Sequence, residues 1–421
     1  MIMRKKGSNL IIFCVIDFLC CISYRLSAQS VIPTYSHNND SLNTIAFHYY
    51  NQQKDLIDIF NHLFHIYKNR KLDTAVNRDI PVYFTIAPIV EYTIATGFSP
   101  GVAGNVAFKT SDKKKTNVSS ILAAIKYTEK QQFMLPVQTT IWTPGNKFNL
   151  IGDWRYYKYP QDAFGIGAYT TEADKYIISY NYVRFYEQII RRISNSIYLG
   201  YGYQLDYHWH IKEEQLTPGR ITDFQKYGFT ESSTSSGINV NVSFDNRENS
   251  INPNPGSFYA NLQFIQNSTL LGANSNYSAV IMDFRKYISV PLNTMLAVWF
   301  YSVITLKGSP PYLDLPGMGT DMYNNTGRGY EQSRFIGKKF IDLEAELRFK
   351  ISRNGLVGGV IFANASSVSE MISNRFEVIS PGVGVGLRIK FNKFSNTNAC
   401  IDFGKGRNGS GGFVGNLGEV F

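Results

Sequence analysis

The sequence predicts an all-β fold, a transmembrane antiparallel β-barrel of about 16 strands with a short N-terminal periplasmic helix. Three observations predict it. In residues 341–351, Ile341, Leu343, Ala345, Leu347, Phe349 and Ile351 are apolar while Asp342, Glu344, Glu346, Arg348 and Lys350 are charged, the two-residue period of a strand with unlike faces. Unpaired buried charge is costly, so the charged face is expected to meet water and the other face something apolar. The pattern recurs in segments of about ten residues, as in strands that turn one side to lipid. The chain also holds 28 Tyr and 29 Phe at a mean hydropathy of −0.17, which aromatic girdles around a polar lumen accommodate.

The elements follow in order. Met1-Ile-Met-Arg-Lys-Lys6, the apolar run from Leu10 to Ile22 and the small-residue site Leu26-Ser-Ala28 read as a secretory signal peptide over residues 1–28. That run is too short, and too interrupted by Asp17, to span a bilayer as a helix. Bulky residues before Cys21 speak against lipid attachment there. Cys14, Cys20 and Cys21 leave with the signal, so Cys400 remains without a partner for a disulfide. Arg4, Lys5, Lys6 and Arg25, set against Asp17, remove three of the +10 formal charges. The remainder is spread over turns and inward positions, which does not indicate nucleic-acid binding.

Residues 29–80 form a periplasmic lead without the alternation. Within it Leu56, Ile59, Phe60, Leu63 and Tyr67 fall at helical spacing, with Asp55 and Asp58 early and Lys68 and Arg70 late, as a helix dipole favours. This amphipathic helix, Leu56 to Tyr67, either rests on the barrel mouth or lumen or docks a partner.

Residues 81–421 are the barrel. Strands are predicted at 82–94, 99–109, 116–126, 130–140, 146–157, 176–190, 196–209, 236–247, 255–269, 276–290, 293–306, 338–352, 355–367, 381–392, 396–404 and 411–421. Their connections alternate: short at 110–115, 143–145, 191–195, 248–254, 290–292, 353–354 and 393–395, with long ones between them at 158–175, 210–235, 307–337 and 368–380. Barrels whose two termini lie in the periplasm have this arrangement and an even strand number. In the seventh strand Ile197, Leu199, Tyr201, Tyr203, Leu205, Tyr207 and Trp209 make a continuous lipid-type face.

Four local patterns then coincide. Asp245 and Arg247, followed by Pro253 and Gly256, sit at a short periplasmic turn; Leu313-Asp-Leu-Pro-Gly-Met-Gly319 opens the long loop after the eleventh strand; Arg328-Gly329-Tyr330 lies near that loop's middle; and Phe413 to Phe421 closes the chain. In this order they resemble the BamA and TamA family, the bacterial surface antigen family of outer-membrane insertases and translocators. The resemblance implies a loop-tip arginine, here Arg328, folded into the lumen and held by acidic groups on the two following strands. Glu346 matches the first of these. Asn364 stands where the family usually has Asp, which implies a looser latch. Phe413, Leu417, Gly418 and Phe421 look like the signal read by the barrel assembly machinery, and an unpaired edge with aromatic anchors suits strand addition. Relatives carry periplasmic POTRA modules; about fifty residues between Ala28 and Ile80 leave no room for one.

No serine nucleophile signature, Walker loop or dinucleotide fingerprint occurs. His62 with His65 and His208 with His210 lack the Cys or carboxylate that would complete a metal site, so neither a catalyst nor a metal or cofactor is expected. The expectation is therefore an outer-membrane barrel of a Gram-negative bacterium that assists protein or lipid insertion or translocation through a weak seam between its first and last strands. Glycines at 404, 406, 409, 411, 412, 415 and 418 weaken that edge. Expected partners are outer-membrane lipids, the assembly machinery, and client outer-membrane proteins or a periplasmic partner. A passive pore or structural surface protein keeping only the fold is the alternative.

Overall fold

The computed structural model describes residues 53–56, 58, 59 and 83–421, except 112–115, 118, 217, 229, 248, 293 and 393–395. The signal segment, most of the lead and most of the helix expected at Leu56 to Tyr67 lie outside the described residues. Sixteen strands follow: β1 (Tyr83–Thr93), β2 (Gly97–Phe108), β3 (Ser119–Tyr127), β4 (Phe133–Trp142), β5 (Phe148–Ala163), β6 (Tyr176–Arg192), β7 (Ile197–Glu214), β8 (Ser232–Asp245), β9 (Phe258–Asn267), β10 (Tyr277–Val290), β11 (Thr294–Lys307), β12 (Lys339–Lys350), β13 (Val357–Val368), β14 (Ser380–Asn392), β15 (Thr397–Gly406) and β16 (Gly411–Leu417).

Each strand pairs antiparallel with the next, from β1 to β16 in one sheet. β1 and β16 come side by side, since a Cβ added to Gly412 would lie 2.7 Å from Ile94 Cγ1. No ladder joins them among the described residues. The sheet is thus a nearly closed antiparallel barrel, with a short-turn rim at the end where the described chain enters the barrel and a long-loop rim opposite.

Alternation sets the faces as expected. On β7, Ile197, Leu199, Tyr201 and Tyr207 are exposed on the outside while Gln204, Asp206 and His208 are buried inside. Boundaries shift at several strands, β7 by five residues to Glu214 among them, and two of the shifts bear on the lumen and its rim. β5 continues six residues past Tyr157, because Lys158 to Ala163, poor strand formers alone, are held by pairing with Tyr176 to Asn181 of β6. β16 stops at Leu417, short of the Phe421 that the sequence predicts as its end; Gly418 turns the chain with φ +98° and the last residues enter the lumen.

The lumen is also drier than a water-filled polar channel. The loop between β11 and β12 folds into it, and Met318, Tyr330 and Phe335 of that loop pack with Trp299, Phe340, Val368, Val420 and Phe421 into an apolar cluster. A second cluster under the long-loop rim joins Ile166, Tyr176, Ile178, Ile211, Phe224, Tyr312, Leu315 and Ile336. Consequently the charged face of β12 does not meet water: Asp342, Glu344 and Glu346 are each 0% exposed.

Candidate functional site

Two of those carboxylates, Glu344 and Glu346, are covered by an arginine. Arg328 sits 5% exposed against the inner wall, its Nε donating to Glu344 Oε1 at 2.7 Å, Nη2 to Glu346 Oε2 at 2.6 Å and Nη1 to Asp402 Oδ2 of β15 at 2.8 Å. Its guanidinium lies 3.7 Å from the centroid of the Phe362 ring. Three charge-assisted contacts and a ring face satisfy the planar fork far better than a single carboxylate could. Burial works against the charged guanidinium, yet the carboxylates of Glu344, Glu346 and Asp402 outweigh it and hold Arg328 above its ordinary pKa.

The structure brings Arg328, Glu346 and Asn364 together but changes the part Asn364 plays. Its Nδ2 donates to the backbone carbonyl of Arg328 at 2.8 Å, so it grips the loop's main chain and not the guanidinium. The carboxylates supplied by Glu344 and Asp402 offset the missing Asp, which removes the reason to expect a loose grip. No local motif marks either residue, although both lie on inward faces that the alternation of the sequence shows.

Glycines provide the room. A Cβ on Gly404 would stand 2.7 Å from Gly329 N, one on Gly382 2.7 Å from Arg328 O, and one on Gly406 2.4 Å from Tyr330 Cζ. The inward glycines of β14 and β15 therefore form a smooth bed for Arg328-Gly329-Tyr330, besides weakening the edge strands. Gly329 itself has φ +98°, a conformation other residues rarely adopt. Tyr330 Oη donates to Pro381 O and accepts from Arg407 N at 2.9 Å, and Ser410 Oγ donates to Gly329 O at 2.9 Å.

Farther along the loop, Lys130 Nζ bridges Glu331 at 2.6 Å and Asp162 at 2.9 Å. Burial, reinforced by the hydrogen bond to Asp162, pushes the Glu331 carboxyl up to about 7. Arg334 is pressed between the Phe164 and Phe335 rings at 4.4 and 4.3 Å, and its Nη2 donates to Thr170 O at 2.9 Å. At the loop's start Asp314 accepts from Ser235 Oγ at 2.5 Å. The loop is thus pinned at tip and base.

The terminal segment enters the same network from the short-turn rim. Arg388 Nε donates to Glu419 Oε2 at 2.8 Å while a second nitrogen binds Asp402, and Arg348 pairs with Glu346 and donates to Phe421 O at 2.8 Å. Burial pushes Glu419 up, but Arg348 and Arg388 hold its carboxyl below the usual range. Phe421 is 2% exposed with its ring 5.2 Å from Trp299, and Val420 O accepts from Asn325 Nδ2 of the loop at 2.8 Å. Phe413, by contrast, faces outward, 47% exposed and 4.9 Å from Phe403. The aromatic residues grouped together in the terminal segment therefore lie on opposite sides of the wall, because two buried arginines draw Glu419 inward.

At the turn between β8 and β9, Arg247 folds back on Asp245 with contacts of 2.9 and 2.8 Å and covers Tyr259 at 4.1 Å. Gly256, at φ +91°, donates its N–H to Tyr287 O at 2.7 Å, and Pro253 is buried. The turn reaches the terminal segment, since Glu419 N donates to Ile251 O at 3.3 Å. Nearby, Lys54 N donates to Asn354 O at 3.1 Å, and Asp55 and Asp58 exchange side-chain to backbone bonds of 2.7 and 3.2 Å, the cap of a helix that starts at this rim.

The Omp85 superfamily domain matches residues 119–395. Among solved structures, BamA from Haemophilus ducreyi lacking POTRA domains 1-3 superposes with a TM-score of 0.52 at 14% identity, over 79% of this chain and 68% of that one. CdiB from Acinetobacter baumannii gives 0.50 at 12% identity, over 81% and 66%. No curated protein matches the sequence. At such identities the likeness to solved structures is one of fold.

Proposed function

Because the chain belongs to the Omp85 superfamily, we propose that it assists insertion or translocation of protein or lipid at the outer membrane through the seam between β1 and β16, with the Arg328 loop as the latch that closes its lumen. The observation that carries this reading is Arg328 itself, held by Glu344, Glu346 and Asp402 on two different strands, one of them next to β16. Releasing the arginine would unload both strands together and so loosen the wall beside the seam. A lumen filled by loop and terminal segment suits a gated device better than an open pore. In this reading Phe413, Leu417, Gly418 and Phe421 serve first as an assembly signal for the barrel machinery, after which Phe421 docks in the lumen. The termini then face the periplasm, where the helix beginning at Leu56 can meet a partner. BamA and CdiB, the structural neighbours, supply the analogy and not the activity.

The seam can be tested by closing it. A Cβ on Gly412 would lie 3.9 Å from Ile94 Cβ, inside the roughly 3.5–4.5 Å that a disulfide needs. Cells carrying only the Ile94→Cys, Gly412→Cys protein are expected to show reduced levels of outer-membrane proteins or surface lipid under oxidising conditions, with recovery on reduction. Unchanged levels with the seam locked, or with the protein removed altogether, overturn the proposal.

A further inference from the structure

The lipid-facing surface of β6 bears a group that lipid cannot satisfy. Outward positions on β6 run Asn181, Val183, Phe185, Glu187, Ile189 and Arg191, with Phe185 and Ile189 40% and 37% exposed. Glu187 therefore points away from the lumen, between Gly152 of β5 and Tyr203 of β7 in the ladder. Its carboxylate lies across the notch left by Gly152, where a Cβ would be 2.9 Å from Glu187 Oε1 and 2.6 Å from Thr139 Oγ1. The indole N–H of Trp154 donates to Oε1 at 2.8 Å, and no cation pairs with Glu187 among the described residues.

Depth decides what could. At about 2.5 Å of height per residue in a strand tilted near 40°, Asn181 and Arg191 bracket about 25 Å, the height of a barrel's apolar band. Glu187, four residues from Arg191, then lies about 10 Å inside that band. A carboxylate there is expensive, and charges within membranes are paired. An amine on a lipid headgroup stays at the interface and cannot reach it. A twofold pairing of this chain centred here would set carboxylate against carboxylate. The surrounding surface is rigid and aromatic: Trp154 stacks on Phe185 at 5.9 Å, and Tyr156 packs near Trp209 at 6.2 Å. Such rings are the anchors of protein interfaces, and their faces also attract cations.

We propose that the outer face of β4–β7 around Glu187 is the docking surface for a membrane-embedded segment of another protein that presents a lysine or arginine side chain to this carboxylate. Gly152 lets the Glu187 carboxylate lie across the wall, the Trp154 N–H orients the acceptor, and the aromatic wall excludes lipid from the pair. This site lies on the opposite face of the wall from the Arg328 latch and does not depend on it.

The test uses the whole chain folded into phosphatidylcholine vesicles with a photo-crosslinking residue at Ile189. The probe is a membrane-spanning leucine-alanine peptide bearing one central lysine, compared with the same peptide bearing leucine there. A membrane-buried polar contact of about 1–2 kcal/mol corresponds to about ten-fold more adduct with the lysine peptide. That preference should vanish in Glu187→Gln. Equal yields from the two peptides, or a preference that survives Glu187→Gln, overturn the proposal. In cells the same photo-residue should capture a protein whose yield falls in Glu187→Gln, whereas capture of lipid alone overturns it. Heat-dependent gel migration reports whether the variant barrel has folded; Trp154→Phe, which keeps the carboxylate but loses its orienting donor, provides a second variant in which the preference should be weakened, and an undiminished preference there also overturns the proposal.

Discussion

The two sides of the barrel neutralise their lumenal charges differently. On β5–β7 the partners lie within the wall: Arg155 folds onto Asp153 with contacts of 2.8 and 2.7 Å, and Asp206 accepts from Arg184 at 3.1 Å and from the hydroxyls of Tyr182 and Tyr186. On β12–β15 the wall pairs Arg348 with Glu346 and Arg388 with Asp402 but leaves Glu344 to Arg328 of the loop tip, and it shares Arg348 and Arg388 with Glu419 of the terminal segment. The charge pairs of one side are made within the wall, although the loop touches that side too, as where Arg155 Nη2 donates to Met322 O at 2.9 Å; those of the other are finished only when remote segments dock. A wall that borrows its counter-charges is one whose stability can be switched.

The sharpest way to break this comparison is Arg328→Ala. It strands Glu344, which has no other cation partner among the described residues, and leaves Glu346 to Arg348 and Asp402 to Arg388; losing one partner of a buried ionic group costs about 3–5 kcal/mol. The expected result is a lowered unfolding midpoint in detergent together with protease cleavage within 308–338. Phe421→Ala should come next, at about 3 kcal/mol for an emptied aromatic site, read by the same midpoint and by increased ion conductance in planar bilayers. Arg184→Gln removes a charge from the self-contained side, where Asp206 keeps its two tyrosine hydroxyls. A loss of about 1–3 kcal/mol is expected, the range for disturbing a buried charged hydrogen bond, with loop cleavage unchanged. Cleavage equal to that of Arg328→Ala would erase the distinction between the two sides.

Two smaller effects sharpen it further. Gly404→Ala meets backbone, Gly329 N at 2.7 Å, whereas Gly200→Ala on β7 meets a side-chain atom, Asn241 Oδ1, that can turn away. Overpacking costs about 1–3 kcal/mol where the neighbour cannot move, so Gly404→Ala should expose the loop to protease and Gly200→Ala should not. The least effect is that of pH. Glu331, raised to about 7 when docked from an ordinary 4.5, keeps a proton that a released loop surrenders. Docking is therefore strongest below pH 4.5, weakens as pH rises to about 7 and is flat above it. Loop cleavage should be slower at pH 5 than at pH 8, and Glu331→Gln should abolish the difference.

Much of the barrel was legible because alternation along a strand reports which side chains share a face, as from Ile197 to Trp209 and from Ile341 to Ile351. Alternation does not report what covers that face. Asp342, Glu344 and Glu346 read as water-facing, and only the loop folding in from 308–338 shows that they are dry. Asp402 was visible as an inward residue, but its arginine lies 74 positions away in the chain, a contact no local pattern encodes. Phe421 keeps the outward parity of Phe413, and the reversal at Gly418 depends on Arg348 and Arg388 waiting in the lumen. The glycines of β14 and β15 did carry a signal, since several inward glycines on adjacent strands mark close approach by another backbone as much as weakness.

One dimension of the wall has a practical use. β6 and β7 contain 17 and 18 residues, about 43 Å of height at the usual tilt, against an apolar band of about 25 Å. The surplus stands clear of the bilayer as a rampart carrying residues such as Lys212 and Glu214 of β7. An antibody fragment raised against that rampart and applied to unpermeabilised cells would read the barrel's orientation directly, by staining or failing to stain them.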